Sequence, residues 1–249
     1  MTGGIRYYYS TVAPPTRRPG ITTSSKEILQ IGIAYLVLTL DLLLIFSNST
    51  ILFGTGGIGL VAALSPGIVA VAATAALTGF VVHEMAHKIV AQRRGYWAEF
   101  RMWPTGLLLS FVTAFVGFLW GAPGATVVGG MPESDRTAWG RTSVAGPLSN
   151  SAFGLIFFVA GLGLALRGWG VAQLYWIFVL AWINGWFGTF NLIPVGPLDG
   201  RKVLRWNRGV WAGAIALTGS IAAVSILAEL SVAFYGNPFH CFHAAASCL

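Results

Sequence analysis

The chain has 249 residues, fifteen basic and eight acidic, so that 9% are charged and 55% hydrophobic. A soluble domain carries about 25% charged residues, and a chain this poor in charge cannot cover itself in water unless much of its surface faces lipid. Soluble enzymes, nucleic-acid-binding domains, disordered chains and small disulfide scaffolds are therefore excluded, and the mean hydropathy of +0.72 agrees.

A membrane span needs about 20 mostly apolar residues. Residues 1–26 hold Tyr7, Tyr8, Tyr9, Pro14, Pro15, Arg17 and Arg18 and read as a flexible basic tail. The first span is expected at 28–46. Ser47-Asn48-Ser49-Thr50 follows without a small-x-small cleavage pattern, so the segment reads as an anchor and not a signal peptide. Residues 47–66 carry no charge, contain Gly54, Gly56, Gly57 and Gly59, and form a Gly-rich connection. The second span is expected at 67–91, ending at Arg93-Arg94. Residues 97–103 alternate and suggest a small β element. Residues 105–122 are apolar but broken by Gly106, Gly117 and Gly121, which predicts a membrane hairpin. A polar loop is expected at 131–143, a third span at 147–166, a fourth at 171–192 and a last at 210–234.

The fold class is thus an all-α polytopic membrane protein with about five transmembrane helices plus the hairpin at 105–122. Residues 27–235 make one integral-membrane domain, with its core at about 67–208, and 236–249 form a C-terminal tail. With the N-terminus in the cytoplasm and the hairpin returning to its own side, Arg6, Arg17, Arg18, Lys26, Arg93, Arg94, Arg101, Arg136, Arg141, Arg201, Lys202, Arg205 and Arg208 all lie inside, and only Arg167 lies outside. This positive-inside bias accounts for the net charge of +7 without nucleic acid.

Ionisable residues at membrane depth are expensive and point to function. Four acids lie in or beside the spans: Asp41, Glu84, Asp199 and Glu229. Glu84 belongs to His83-Glu84-Met85-Ala86-His87. Residues four apart share one helix face, so the two imidazoles can grip one metal ion while Glu84 reaches a water beside it. A catalytic zinc usually has a third protein ligand. His240 and His243 qualify by type, but the topology puts them outside. Asp199 lies on the same side as the histidine pair and at a similar depth. It follows Asn191-Leu192-Ile193-Pro194-Val195-Gly196-Pro197-Leu198, whose prolines and glycine break a helix and suggest extended backbone. The bland alternative for Asp199 is an interfacial acid paired with Arg201 or Arg205. Asp41 and Glu229 could line a water or proton path or bond a neighbouring helix. Cys241 and Cys248 could pair if the tail faces an oxidising side.

HEMAH at 83–87 and NLIPVGPLDG at 191–200, with the weaker AGPLSN at 145–150, resemble the site-2 protease family of intramembrane zinc metalloproteases. The resemblance covers roughly 67–208. It implies that His83, His87 and Asp199 bind one zinc per chain, that Glu84 is the general base, and that Asn191 places the substrate or the oxyanion. Asn150 matches a family position that would support the ligands from behind. Two departures stand out: 249 residues leave no room for the PDZ or CBS domain of many members, and Arg201 follows Gly200 where members often have a second glycine. The expected function is hydrolysis of peptide bonds in membrane-spanning protein substrates near the cytoplasmic face, at the cell membrane, as in regulated intramembrane proteolysis. The partners are such substrates and the bilayer. A substrate helix must unwind, and either the extended 191–198 segment or an edge strand from 97–103 would pair with it. The alternatives are a non-enzymatic transporter using the buried acids as an ion path, or a substrate-binding pseudoprotease.

Overall fold

The computed structural model describes residues 20–48 and 58–238. Most of the basic N-terminal tail, Gly54, Gly56 and Gly57, and the tail residues His240, Cys241, His243 and Cys248 lie outside the described residues. Among the described residues, five helices are long and apolar enough to cross a membrane: Ser25–Ser47, Pro66–Arg93, Arg136–Ala165, Val171–Asn191 and Arg208–Tyr235.

Helix α1 (Ser25–Asn48) starts where Ser24 Oγ accepts from the Glu27 amide at 3.2 Å. A short helix α2 (Leu60–Ala63) leads to α3 (Pro66–Ala76), whose proline stands at the position where a missing amide hydrogen costs least. A π-helical turn (Leu77–Val81) joins α3 to α4 (Val82–Arg93), making one continuous span.

The expected β element is present as β1 (Trp97–Met102). It pairs antiparallel with a strand that alternation had not revealed, β2 (Gly124–Gly129), with Phe100 opposite Thr126. Between them α5 (Pro104–Ala114) runs out and the chain returns by turns. The Trp103 amide donates to the Pro123 carbonyl at 3.0 Å, so the segment leaves and re-enters at one level, as a hairpin must.

Helix α6 (Arg136–Ala165) begins well before the expected third span. The polarity of 131–143 had suggested a loop, yet Asp135 caps the helix by accepting from the Ala138 amide at 2.8 Å. Polar residues there mark the part of one long helix that runs past the apolar window. Helices α7 (Val171–Asn191) and α9 (Arg208–Tyr235) pack against α6 and each other, with the short α8 (Asp199–Trp206) between them in sequence. Gly185 permits the α7–α9 approach, since a Cβ there would stand 2.6 Å from the Ala222 amide nitrogen.

Two sequence expectations are overturned here. Residues 192–198 are not extended: Ile193, Val195 and Leu198 donate to Phe190, Ile193 and Val195 in successive turns, with Gly196 at φ +57°. Pro194 and Pro197 do end α7, but the chain must reverse at once to start α8, and turns do that where a strand would overshoot. Nor is β1 an open edge. Phe100 and Met102 donate their amides to Glu27 Oε1 (2.9 Å) and Gln30 Oε1 (3.3 Å), and Ala98 accepts from Gln92 Nε2 (2.8 Å). The outer ladder positions of the sheet belong to β2, where the Thr126 amide donates to Glu84 Oε2.

Glu27 also pairs with Lys88 at 2.5 Å, where both side chains are buried and Lys88 reaches Thr23 Oγ1 at 2.8 Å. This pair ties the start of α1 to the helix bearing the HEMAH segment. Removing one member of such a pair strands a buried charge. Lys88→Met is expected to destabilise the fold by about 3–5 kcal/mol, seen as a lower Tm that Glu27→Gln in the same chain partly restores.

Candidate metal centre

His83 and His87 stand one turn apart on α4, their rings edge to face at 4.6 Å. Asp199, the first residue of α8, reaches them from the other side of the chain. Its Oδ2 lies 3.4 Å from His83 Nε2 and 3.0 Å from His87 Nε2, and the two Nε2 atoms are 3.0 Å apart. All three residues are buried. The placement of Asp199 depends on Gly200, because any Cβ there would run into the Leu192 carbonyl. Val203, one turn on, anchors the same face of α8 in the core with Leu192 and Val144. The interfacial-acid alternative is answered by Lys202, not by either arginine: its Nζ lies 3.7 Å from Asp199 Oδ1.

The protonation of this cluster follows from its partners. His87 Nδ1 faces the Thr142 carbonyl at 2.7 Å, and a carbonyl can only accept. His83 Nδ1 faces Asn150 Oδ1 at 2.6 Å, while the Asn150 amide nitrogen donates to the Gly79 carbonyl at 3.0 Å. Both Nδ1 atoms therefore carry the hydrogen, and both Nε2 atoms point lone pairs at each other and at a carboxylate. Three acceptors with no donor between them need a cation. A tetrahedral zinc with bonds of about 2.0–2.1 Å sets its ligand atoms about 3.3 Å apart, close to the spacing found. His83, His87 and Asp199 form the one group of this kind among the described residues.

Gly146 of α6 closes the back of the group. A Cβ there would lie 2.6 Å from His83 Nε2 and would collide with His87 Nε2 as well. Alanine suits a helix better than glycine, so Gly146→Ala is expected to leave α6 intact and to abolish zinc uptake, measured as metal content after purification.

Glu84 points to the neighbouring side of α4, buried against β2. Its Oε2 accepts from the Thr126 amide at 2.7 Å and lies 2.8 Å from Thr126 Oγ1, which also lies 2.9 Å from the Glu84 carbonyl. Asn150 stands directly behind His83. Asn191 does not join the group: its amide donates to the Phe187 carbonyl of its own helix at 2.9 Å. Asp41 and Glu229 are buried on α1 and α9 and are not among the three clustered residues. Sequence reasoning missed Thr126, whose strand was not foreseen, and Thr78 and Asn184, whose signal was a polar side chain inside an apolar span.

Comparison with known proteins places this centre. Over 140 residues, 54% of this chain and 69% of the relative, it is 39% identical to MJ0611 of Methanocaldococcus jannaschii, named as a zinc metalloprotease. The chain belongs to the site-2 protease family of zinc metalloproteases. It is also 31% identical over 209 residues to Rip3 of Mycobacterium tuberculosis, likewise named as a zinc metalloprotease. That alignment covers 80% of this chain but 48% of Rip3, so the chain spans about half of that relative's length. A shorter match, 27% over 126 residues, reaches the zinc metalloprotease MJ0392 of M. jannaschii. No family model and no solved structure matches the chain.

The metal of this family fits the donor set of His83, His87 and Asp199, a group with the spacing to hold a metal ion, and the five apolar helices make the chain a multi-pass membrane protein. Metal and protons compete for the same lone pairs, so zinc affinity is expected to fall as the pH is lowered, measurable by chelator competition across a pH series.

Proposed function

We propose that this chain is an intramembrane endopeptidase of site-2 type that hydrolyses membrane-spanning protein substrates near the cytoplasmic face. The observation carrying this reading is the donorless His83–His87–Asp199 triangle beside buried Glu84, enclosed by membrane-crossing helices. Residues 27–235 act as one catalytic domain at the cell membrane, with the N-terminus cytoplasmic. Arg93, Arg136 and Arg208 end or begin spans, and positive-inside placement sets all three on the cytoplasmic side.

A zinc ion held by the triangle supplies Lewis acidity and brings water into the range where it ionises near neutral pH. Glu84 takes the proton of the attacking water and returns it to the amide nitrogen as the C–O bond forms and the C–N bond breaks. Asn191, whose amide donates to the Phe187 carbonyl, would have to turn from it to donate to the oxygen that gains charge. Gly124, Thr126 and Val128 alternate along the outer edge of β2, beside Glu84. An unwound substrate segment adds to that edge once Glu84 releases the Thr126 amide. β2 takes over the pairing role expected of residues 97–103.

The test is incubation of zinc-loaded chain with membrane-protein substrates in detergent, with Glu84→Gln as the inactive control and mass spectrometry of the products. Cleavage within a transmembrane segment by wild type alone supports the reading. Products restricted to soluble loops would overturn it. A helix breaker placed in the substrate span is expected to raise kcat/KM, because unwinding then costs less; no such gain across several positions would rule out unwinding. The transporter alternative would use Asp41 and Glu229, which are buried with unpaired carboxylate oxygens, but among the described residues no hydrogen bond links either to Glu84, and the metal triangle favours the protease.

A further inference from the structure

An imidazole that binds a metal must offer a lone pair at the ligating nitrogen, so its other nitrogen must hold the hydrogen. For His87 a main-chain carbonyl, that of Thr142, enforces this. For His83 the enforcing group is the side-chain amide of Asn150, and an amide can turn over. Its NH2 would then face Nδ1 and shift the ring hydrogen to Nε2, blocking the metal. Whatever prevents that turn belongs to the metal centre.

Asn150 Nδ2 faces three acceptors: the Gly79 carbonyl at 3.0 Å, the Thr78 carbonyl at 3.4 Å and Asn184 Oδ1 at 3.4 Å. Asn184 is itself held one way round. Its Nδ2 donates to Thr78 Oγ1 at 2.9 Å and to the Leu180 carbonyl at 3.0 Å, which leaves Oδ1 for Asn150. The Thr78 hydroxyl spends its hydrogen on the Thr74 carbonyl at 2.8 Å, so it can only accept from Asn184. From Thr74 to His83 every link donates in the same direction. Reversing any amide would set oxygen against oxygen.

The surroundings match this role. Asn150 and Asn184 are fully buried and Thr78 nearly so, and polar groups inside membrane spans are costly without a purpose. Gly188 lets α7 come close enough, since a Cβ there would stand 3.2 Å from Asn150 Cβ. The π turn, with the Val82 amide bonded to the Leu77 carbonyl, shapes the helix at Thr78 and Gly79, both of whose carbonyls reach Asn150.

We propose that Asn184 and Thr78 are positioning residues of the zinc centre, locking the Asn150 amide and through it the metal-ready tautomer of His83. The proposal rests on the zinc-protease reading and reaches two residues that touch neither metal nor substrate. Its test needs no substrate. The whole chain in detergent is titrated with zinc against a chromophoric chelator, and the His83 tautomer of metal-free protein is read by nitrogen NMR, assigned through His83→Gln. Asn184→Leu is expected to weaken zinc binding about tenfold and to populate the Nε2–H tautomer of His83. Thr78→Val moves both readouts the same way by less, and Thr78→Ser, which keeps the hydroxyl, matches wild type. If Asn184→Leu does not fold, the Thr78 pair decides. Lower melting temperatures with unchanged zinc affinity and tautomer would mean a packing role and overturn the proposal. A wild-type chain that bound no zinc would instead bring down the metalloprotease reading, while the tautomer measurement would still decide the relay.

Discussion

Glu84→Gln is expected to keep zinc and fold and to lose hydrolysis by about 10²–10⁴-fold, the range of a general base. The variant is nearly isosteric, and its amide can still accept from the Thr126 amide through its oxygen. Glu84 makes no contact with the three ligand atoms in the network described, so metal content should stay at wild-type level. What glutamine cannot do is take the proton of water. Zinc content and hydrolysis measured on the same preparations separate the two effects. Loss of zinc together with activity would place Glu84 among the ligands and undo its assignment as base.

Asp199→Ala has the opposite signature. It removes one of three ligands and leaves His83 and His87 sharing a cation with no anionic ligand. Zinc content is expected to drop from about one per chain to a small fraction of it, because a catalytic site built on three protein ligands then has two. Lys202, now without the carboxylate 3.7 Å away, adds uncompensated positive charge near the metal. Lys202→Ala in the Asp199→Ala background should therefore recover a little affinity, though not the wild-type value. Zinc held equally well without Asp199 would mean that the third ligand lies elsewhere.

The parts of this site that could be read from sequence are those with fixed local spacing. HEMAH fixes two imidazoles on one helix face by helical geometry alone, and the aspartate-bearing segment supplies a recognisable partner 112 positions after His87. The spans were legible for the same reason: a bilayer imposes one length on every crossing. What stayed hidden depends on contacts between distant segments. β2 is a run of small and β-branched residues whose pairing with β1 only the hairpin brings about. Asn184 and Thr78 gain meaning only through a relay of hydrogen bonds across three helices. Residues 131–143 misled by their polarity, since α6 carries polar residues on a helix that outlasts the apolar window. Residues 191–198 misled by their prolines, which forbid a helix but do not choose between strand and turn.

The returning hairpin also settles the parity of the chain. The segment from β1 to β2 goes in and comes out on one side, so it adds nothing to the five crossings. The hydrogen bonds of Thr22 with Gln92 and the Glu27–Lys88 pair hold the start of α1 beside the end of α4. After an odd number of crossings the end of α9 must emerge into the other compartment. With all five helices crossing, whatever is fused to, bound by or modified at one end of the helical body would not share an aqueous phase with the other end. On the proposed topology, the zinc centre answers to the compartment in which α1 begins.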